Sequence, residues 1–343
     1  MKKQRIFYFD FIRTISVIFI IIFHFNCSIG AHSIYMGNKP IIFYSYVNGN
    51  LGQIGVSLFF ILSGASLMYT YKDKFTIGEF TKKRLISLYP MFYIAYICVF
   101  LFYFYKYFSL NPFGVAREKW SFILTIFGID GYLSGIIPDY YILGEWFLGG
   151  IILMYVLFPL LRKLILNTKP IISIILLLLE YILVVQLYNI NFPIEYCILT
   201  RLLEFAFGMY LIKYCEKIKM YQVLISLAIL LLLICKYIEI NQMYKVTIMG
   251  ISLFVVLSFI GQHISYKFSK PFECISKYSY AIFLIHHVII EQICSRFDGH
   301  NLRILEAYCL LIIILILIAF FSFILYKTNS ILLRKTTDFI KQM

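Results

Sequence analysis

Residues 11–29 read FIRTISVIFIIIFHFNCSI. That run is apolar and long enough to cross a bilayer as a helix. Its charged and imidazole side chains are Arg13 and His24, with ten residues between them. A charged side chain at the centre of such a helix costs roughly 2.5–3.5 kcal/mol on insertion scales, so it is seldom kept without a use. Eleven helical steps at about 100° each come to about 1100°, three turns plus roughly 20°. Arg13 and His24 are therefore predicted to share a face, about 16 Å apart along the axis. Asp10 lies one turn before Arg13 and near that face. One helix thus presents an acid–base pair at its entrance and a titratable base deep inside.

The composition around this run fixes the class. The chain is 62% apolar, 19% aromatic and only 14% charged, with mean hydropathy +0.86. A soluble domain cannot hide that much apolar surface. The net charge is +14, yet Lys and Arg punctuate apolar runs instead of forming one patch, so nucleic acid is not an expected partner. Eight cysteines (27, 98, 197, 215, 235, 274, 294 and 309) are scattered without a Cys-x-x-Cys, and read as small core hydrophobes. Neither disulfides nor a metal site is expected. The opening MKKQR before an apolar run has the look of a signal peptide. The run is too long for an h-region and no A-x-A follows, so a retained span is expected.

Hydropathy places about ten spans, at 11–29, 51–71, 88–108, 141–161, 171–188, 197–213, 220–238, 246–262, 278–294 and 304–326. Residues 120–137 (WSFILTIFGIDGYLSGII) are apolar but broken by Asp130 and several glycines, and are expected to lie at the interface or re-enter it. With the N-terminus in the cytoplasm and the chain alternating, 21 Lys and Arg fall in cytoplasmic segments and 7 in outer ones. Arg13, Arg201 and Lys236 lie within spans. The bias holds loop by loop, as the positive-inside rule requires. The expected fold is an all-α polytopic membrane protein with about ten transmembrane helices and both termini cytoplasmic. It is expected to be one integral-membrane domain over 1–343, without internal repeats.

Several other residues carry candidate chemistry. His24 suits a general base, because its ordinary pKa lies near neutrality. Arg201 and Glu204, at i,i+3 in TRLLEFAFGM, are a site pair or a self-neutralised structural pair. His286 and His287 are adjacent in span nine, so about 100° separates them and only one is expected to face a given site. Without a ligand spacing such as HExxH, metal binding is not expected there. Glu145 and Trp146 open span four, where Trp is the usual belt residue and a substrate contact is the alternative. Ser63, in GVSLFFILSG, lacks the setting of an activated nucleophile. Small residues that let helices approach closely explain that stretch as well. Lys82, Lys83 and Arg84 read as positive-inside charges, with a basic mouth for an anionic cosubstrate as the second use they allow.

With these stretches in view, the chain resembles the acyltransferase-3 family of integral-membrane O-acyltransferases. FDFIRTISVIFIIIFH resembles the family's opening signature, with Asp10, Arg13 and His24 in place. GVSLFFILSG resembles its second-span motif, and FTKKRLISLYP, with Arg84 and Pro90, its basic stretch. WFLGGIILMYVLFP resembles the fourth-span block, and RLLEFAFGM the Arg-to-Gly motif ending at Gly208. SYAIFLIH resembles the late Ser-Tyr to His motif, which selects His286 over His287. The matches run in family order from residue 9 to about 287. Ser87 stands where many members carry a second Arg, Ile151 and Ile152 where members often have an acid, and Ser57 where Asp is frequent.

The resemblance implies a multi-pass enzyme of a bacterial plasma membrane. It would take an acyl group, usually acetyl from acetyl-CoA, on the cytoplasmic side. It would deliver that group to a hydroxyl of a cell-surface glycan or its lipid-linked precursor. No tightly bound cofactor is implied; acyl-CoA is a cosubstrate. In that frame His24 and Arg13 are catalytic, and Lys82, Lys83 and Arg84 meet the cosubstrate. Glu145, Trp146, Arg201 and His286 meet the acceptor, with Asp10 and Ser63 in support. A transporter or flippase for a glycan or small anion is the alternative use of the same intramembrane charges. Against it, no pair of broken helices marks inverted halves.

Overall fold

A computed structural model describes residues 5–34, 45–46, 49–144, 146–215, 217–235 and 238–342. Twelve α-helices run through these residues. They are α1 Phe7–Ala31, α2 Leu51–Tyr71, α3 Ile77–Tyr107, α4 Phe122–Ile126, α5 Asp130–Leu133 and α6 Trp146–Asn167. The rest are α7 Pro170–Leu187, α8 Ile198–Tyr214, α9 Met220–Cys235, α10 Gln242–His263, α11 Ser269–Cys294 and α12 Ile304–Gln342. Ser45–Tyr46 and Gly49–Asn50 form a two-residue antiparallel pair just before α2.

Each expected span overlaps one of these helices. Among the described residues, seven are long and apolar enough to cross a membrane: α1, α2, α3, α6, α7, α10 and α12. Helix α9 is apolar but has 16 residues, and α8 has 17. Helix α11 is long, yet Lys270, Glu273, Lys277, two histidines and Glu291 dilute its apolarity. Residues 120–137 do not span: α4 and α5 have five and four residues.

Helix α3 begins eleven residues earlier than the expected span. Lys82, Lys83 and Arg84 therefore lie on its opening turns and not in a loop. Pro90 lies inside this helix, where it removes one backbone bond and crowds the carbonyl of the preceding turn. Helix α11 likewise begins at Ser269, ahead of the apolar stretch.

The chain divides into two compact units. The first comprises Met1–Phe23, Ile42–Thr76 and Leu153–Lys277. Its centre is α2, which packs on α8 and α10. Asn50 caps α2, its side chain accepting from the Gln53 amide at 2.9 Å. Helix α2 is apolar all round and is accordingly the most enclosed of the seven. It meets α8 backbone to backbone. A Cβ at Gly64 would fall on the Phe205 carbonyl, and one at Gly208 on the Ile61 carbonyl. Only glycine permits that approach, so the small-residue reading of GVSLFFILSG holds at Gly64. At the other extreme, α7 exposes Ile171, Leu176, Leu179 and Leu183, as a helix does whose solvent is lipid.

The second unit comprises His24–Ile41, Ile77–Ile152 and Tyr278–Met343. Helices α3 and α12 pack together there. Tyr280 donates its hydroxyl to the Leu88 carbonyl at 3.1 Å, tying α11 to α3. Between α3, α11 and α12 lies a cavity of about 410 Å³, lined by apolar side chains such as Ile94, Phe102, Ile289 and Phe321.

Candidate functional site

The candidate residues fall into two groups, one in each unit. In the first unit Asp10 is buried and gathers three partners. Arg5 Nε donates to its Oδ2 at 2.5 Å and Ser276 Oγ to its Oδ1 at 2.6 Å. Arg13 Nη1 stands 3.6 Å from Oδ1 and donates to Ser276 Oγ at 2.9 Å. The i,i+3 relation of Asp10 and Arg13 expected from the sequence is thus realised as an ion pair. Two guanidinium groups share this one buried carboxylate, and Arg5 also lies in the field of Glu273. Thr14 Oγ1, one turn after Asp10, sits within bonding distance of the Asp10 and Phe272 carbonyls, at 2.9 and 3.0 Å.

Arg13 does not simply extend toward headgroups. One nitrogen is held by Ser276 on α11, and its side chain keeps 30% exposure. A guanidinium offers five donors in a planar fork, so an anchored Arg13 retains donors for an anion. Ser276 was not singled out by sequence reasoning: a lone serine 263 residues away carries no local signal.

Arg201 and Glu204 also lie in the first unit, and both are fully buried. Arg201 Nη1 donates to Glu204 at 3.1 and 3.3 Å, and its Nε to the Glu195 carbonyl at 2.9 Å. Thr247 Oγ1 donates to Glu204 Oε1 at 3.2 Å and accepts from Tyr181 at 2.8 Å. This chain of bonds joins α7, α8 and α10. It encloses Arg201 within the helix packing, which is the structural arm of the sequence reading. Removing either partner would strand a buried charge, typically at a cost of 3–5 kcal/mol. Ser63 is half-buried on α2, in the middle of a regular helix and not on a strained turn.

In the second unit three imidazoles meet. The His24 ring lies 5.1 Å from that of His286 and 5.1 Å from that of His287, centroid to centroid. The expectation that only one of the adjacent histidines faces a given site is corrected at His24. A ring from α1 reaches both, because 100° of separation on α11 still leaves them on either side of one incoming side chain. His286 is buried, and its Nδ1 lies 2.9 Å from the Phe283 carbonyl and 3.1 Å from that of Ile282. A carbonyl can only accept, so Nδ1 carries the proton and Nε2 is left as the acceptor. Nε2 is buried and has no hydrogen-bond partner among the described residues. A buried acceptor of this kind costs about 1–3 kcal/mol until an O–H or N–H reaches it.

The segment before α6 is stapled to the same turn of α11. Gly144, with φ 75°, turns the chain so that its amide donates to the Leu284 carbonyl at 3.3 Å. Phe147 stacks edge-on against Phe283 at 5.6 Å, and Phe283 contacts His286. Trp146, half-buried, therefore stands at the start of a helix tied to the histidine turn. Glu145 lies outside the described residues. Lys82 and Lys83 are exposed on α3, while Arg84 is half-buried with its guanidinium 5.9 Å from the Phe80 ring centre. Trp146, Lys82, Lys83 and Arg84 do not line the apolar cavity.

The connection between α3 and α6 holds two further buried acids, Asp130 and Asp139. Asp130 accepts from Thr125 Oγ1 at 2.9 Å and from the Gly131 amide at 3.0 Å. Asp139 Oδ1 accepts from the Tyr141 amide at 3.2 Å, while its Oδ2 has no partner among the described residues. Burial pushes the Asp139 carboxyl up to about 6. Burial raises Asp130 as well. No group of three or more His, Cys, Asp and Glu suited to a metal ion occurs among the described residues.

An acyltransferase-domain family model matches residues 6–327. No curated protein and no solved structure matches the chain. The match covers both groups of residues and every helix from α1 through most of α12.

Proposed function

The chain belongs to the acyltransferase-3 family and is a multi-pass membrane acyltransferase; on that premise we propose that it carries an acyl group, acetyl in the first instance, from acyl-CoA to a hydroxyl of a cell-surface polysaccharide or its lipid-linked precursor. The observation that carries this reading is the split character of helix α1. Its first half holds an arginine anchored on Ser276 beside Asp10, and its second half an imidazole among imidazoles. The first suits the phosphates of the donor. The second suits removal of a proton from an incoming hydroxyl. The family match gives the transporter alternative no support.

His24 accepts the acceptor's hydroxyl proton as the oxygen attacks the thioester carbonyl. The carbon–sulfur bond then breaks, and the proton passes to the leaving CoA thiolate. Arg13 holds the phosphate end of the donor, about 16 Å along the helix from His24. His286 Nε2 receives a second hydroxyl of the acceptor, which fills its missing bond. Lys82, Lys83 and Arg84 add positive charge for the CoA phosphates. Trp146, with Glu145, borders the acceptor, and Asp10 positions Arg13. Arg201 has a structural role in this reading, through Glu204, and Ser63 needs no chemical one.

The topology that goes with this function is ten crossings of a bacterial plasma membrane with both termini cytoplasmic, as the Lys and Arg bias requires. In a cysteine-free background, a membrane-impermeant thiol reagent added outside is expected to label a cysteine at Asn111 and to spare one at Lys74. The reverse pattern would overturn the orientation. For the function, glycan from cells with the gene is expected to release an alkali-labile acyl ester that is missing from cells without it. Identical ester content in the two would count against the reading.

A further inference from the structure

One helical turn outward of the three imidazoles, the second unit holds a polar cluster that the reaction above does not use. Glu291 Oε1 accepts from His32 Nε2 at 2.7 Å, and Oε2 accepts from Ser28 Oγ at 3.1 Å. His32 Nδ1 lies 3.8 Å from Asp298 Oδ1, so the ring is bracketed by two carboxylates. The Gly299 amide donates to the His32 carbonyl at 3.0 Å, closing the loop over the end of α1. Ser28 follows His24 by four residues on α1, and Glu291 follows His287 by four on α11. Each step is one turn, about 6 Å, which is the width of one sugar ring.

We propose that Glu291 and His32, braced by Ser28, form a subsite that binds hydroxyls of the acceptor sugar next to the one being acylated. The proposal rests on the acyl-acceptor reading above and adds the residues that hold the sugar. The donor count supports it. Each carboxylate oxygen of Glu291 takes two hydrogen bonds and uses one here. Its side chain is 39% exposed, so the carboxylate is partly open to an incoming ligand. Neighbouring sugar hydroxyls are paired O–H donors that fit one carboxylate, and bonds to a charged acceptor are the stronger kind. His32 and Ser28 fix the carboxylate plane before the sugar arrives, which lowers the cost of ordering it.

The sign of the cluster also selects. Glu291 and Asp298 stand on either side of a single imidazole, so a uronate or phosphate on that ring would meet like charge. Neutral, hydroxyl-rich sugars are therefore the class this subsite takes, and acidic ones are disfavoured by repulsion as much as by missing contacts.

The test is the kinetics of Glu291→Gln, in full-length protein reconstituted in vesicles, with glycan acceptor and acyl-CoA varied separately. Glutamine keeps the shape and one acceptor oxygen but loses the charge. The acceptor KM is expected to rise about tenfold or more, with acyl-CoA KM and melting temperature unchanged. His32→Gln, which keeps a donor toward Glu291, is expected to raise the acceptor KM in the same direction, and serves if Glu291→Gln does not fold. An unchanged acceptor KM in the folded variants, accompanied by a lower melting temperature, would make the cluster a structural strap and overturn the subsite. Absence of transfer by the wild-type protein would instead overturn the acyltransfer reading itself.

Discussion

His24→Ala is expected to lower acyl transfer by about 10²–10⁴-fold, the usual range for loss of a general base, while the protein still inserts and folds. Insertion survives because α1 has apolar residues to spare: replacing an imidazole with a methyl makes the helix more apolar, not less. The loss is chemical because His24 brings to the cluster of three imidazoles the nitrogen assigned to the hydroxyl proton. His286→Ala is expected to fall less steeply and mainly in acceptor KM, since its Nε2 is assigned to binding. His287 touches His24 as closely as His286 does, so His287→Ala is expected to disturb the rate and not to be silent. The check is initial rates for the three variants at equal amounts of monodisperse protein. His24→Ala retaining most of the wild-type rate would remove the base assignment.

Arg13→Lys is expected to raise the acyl-CoA KM about tenfold or more while inserting normally. An arginine that only snorkels to headgroups tolerates Lys, because both side chains reach. Arg13 instead uses Nη1 to hold Ser276 and leaves the rest of a planar fork for a phosphate. Lysine presents a single ammonium that cannot hold Ser276 and grip an oxygen in the same geometry. Loss of a bond to a charged group is worth about 1.5–3 kcal/mol, which corresponds to roughly 10–100-fold. Transfer in vesicles is measured against acyl-CoA on the face that carries Lys74. Unchanged kinetics would return Arg13 to the anchor role and leave the stretch around Arg84 as the donor site.

Helix positions were legible in the sequence because lipid imposes a simple rule. Backbone polar groups must be paired within the segment, so an unbroken apolar run long enough to cross the membrane becomes a helix. Arg13 and His24 stood out for the same reason: against an apolar background, each charge or base is a visible cost. Ends of helices were less legible. The start of α3 at Ile77 lies in polar sequence, where hydropathy has nothing to report. Partners were not legible at all. Ser276 and Glu291 reach α1 from far along the chain, and only packing brings them there. The two arms of the Arg201–Glu204 reading looked alike in sequence. Complete burial, with Thr247 and Tyr181 continuing the chain of bonds, favours the structural arm.

The central claim is that this membrane protein itself moves an acyl group from CoA to a glycan hydroxyl, with His24 as the base. Purified protein in sealed vesicles, given acyl-labelled acetyl-CoA on the face carrying Lys74 and glycan on the other, tests it in one measurement. The account predicts label on the glycan as an alkali-labile ester, formed by wild type and lost in His24→Ala. Label that stays on CoA or appears only as free acetate, with none on the glycan, would contradict it.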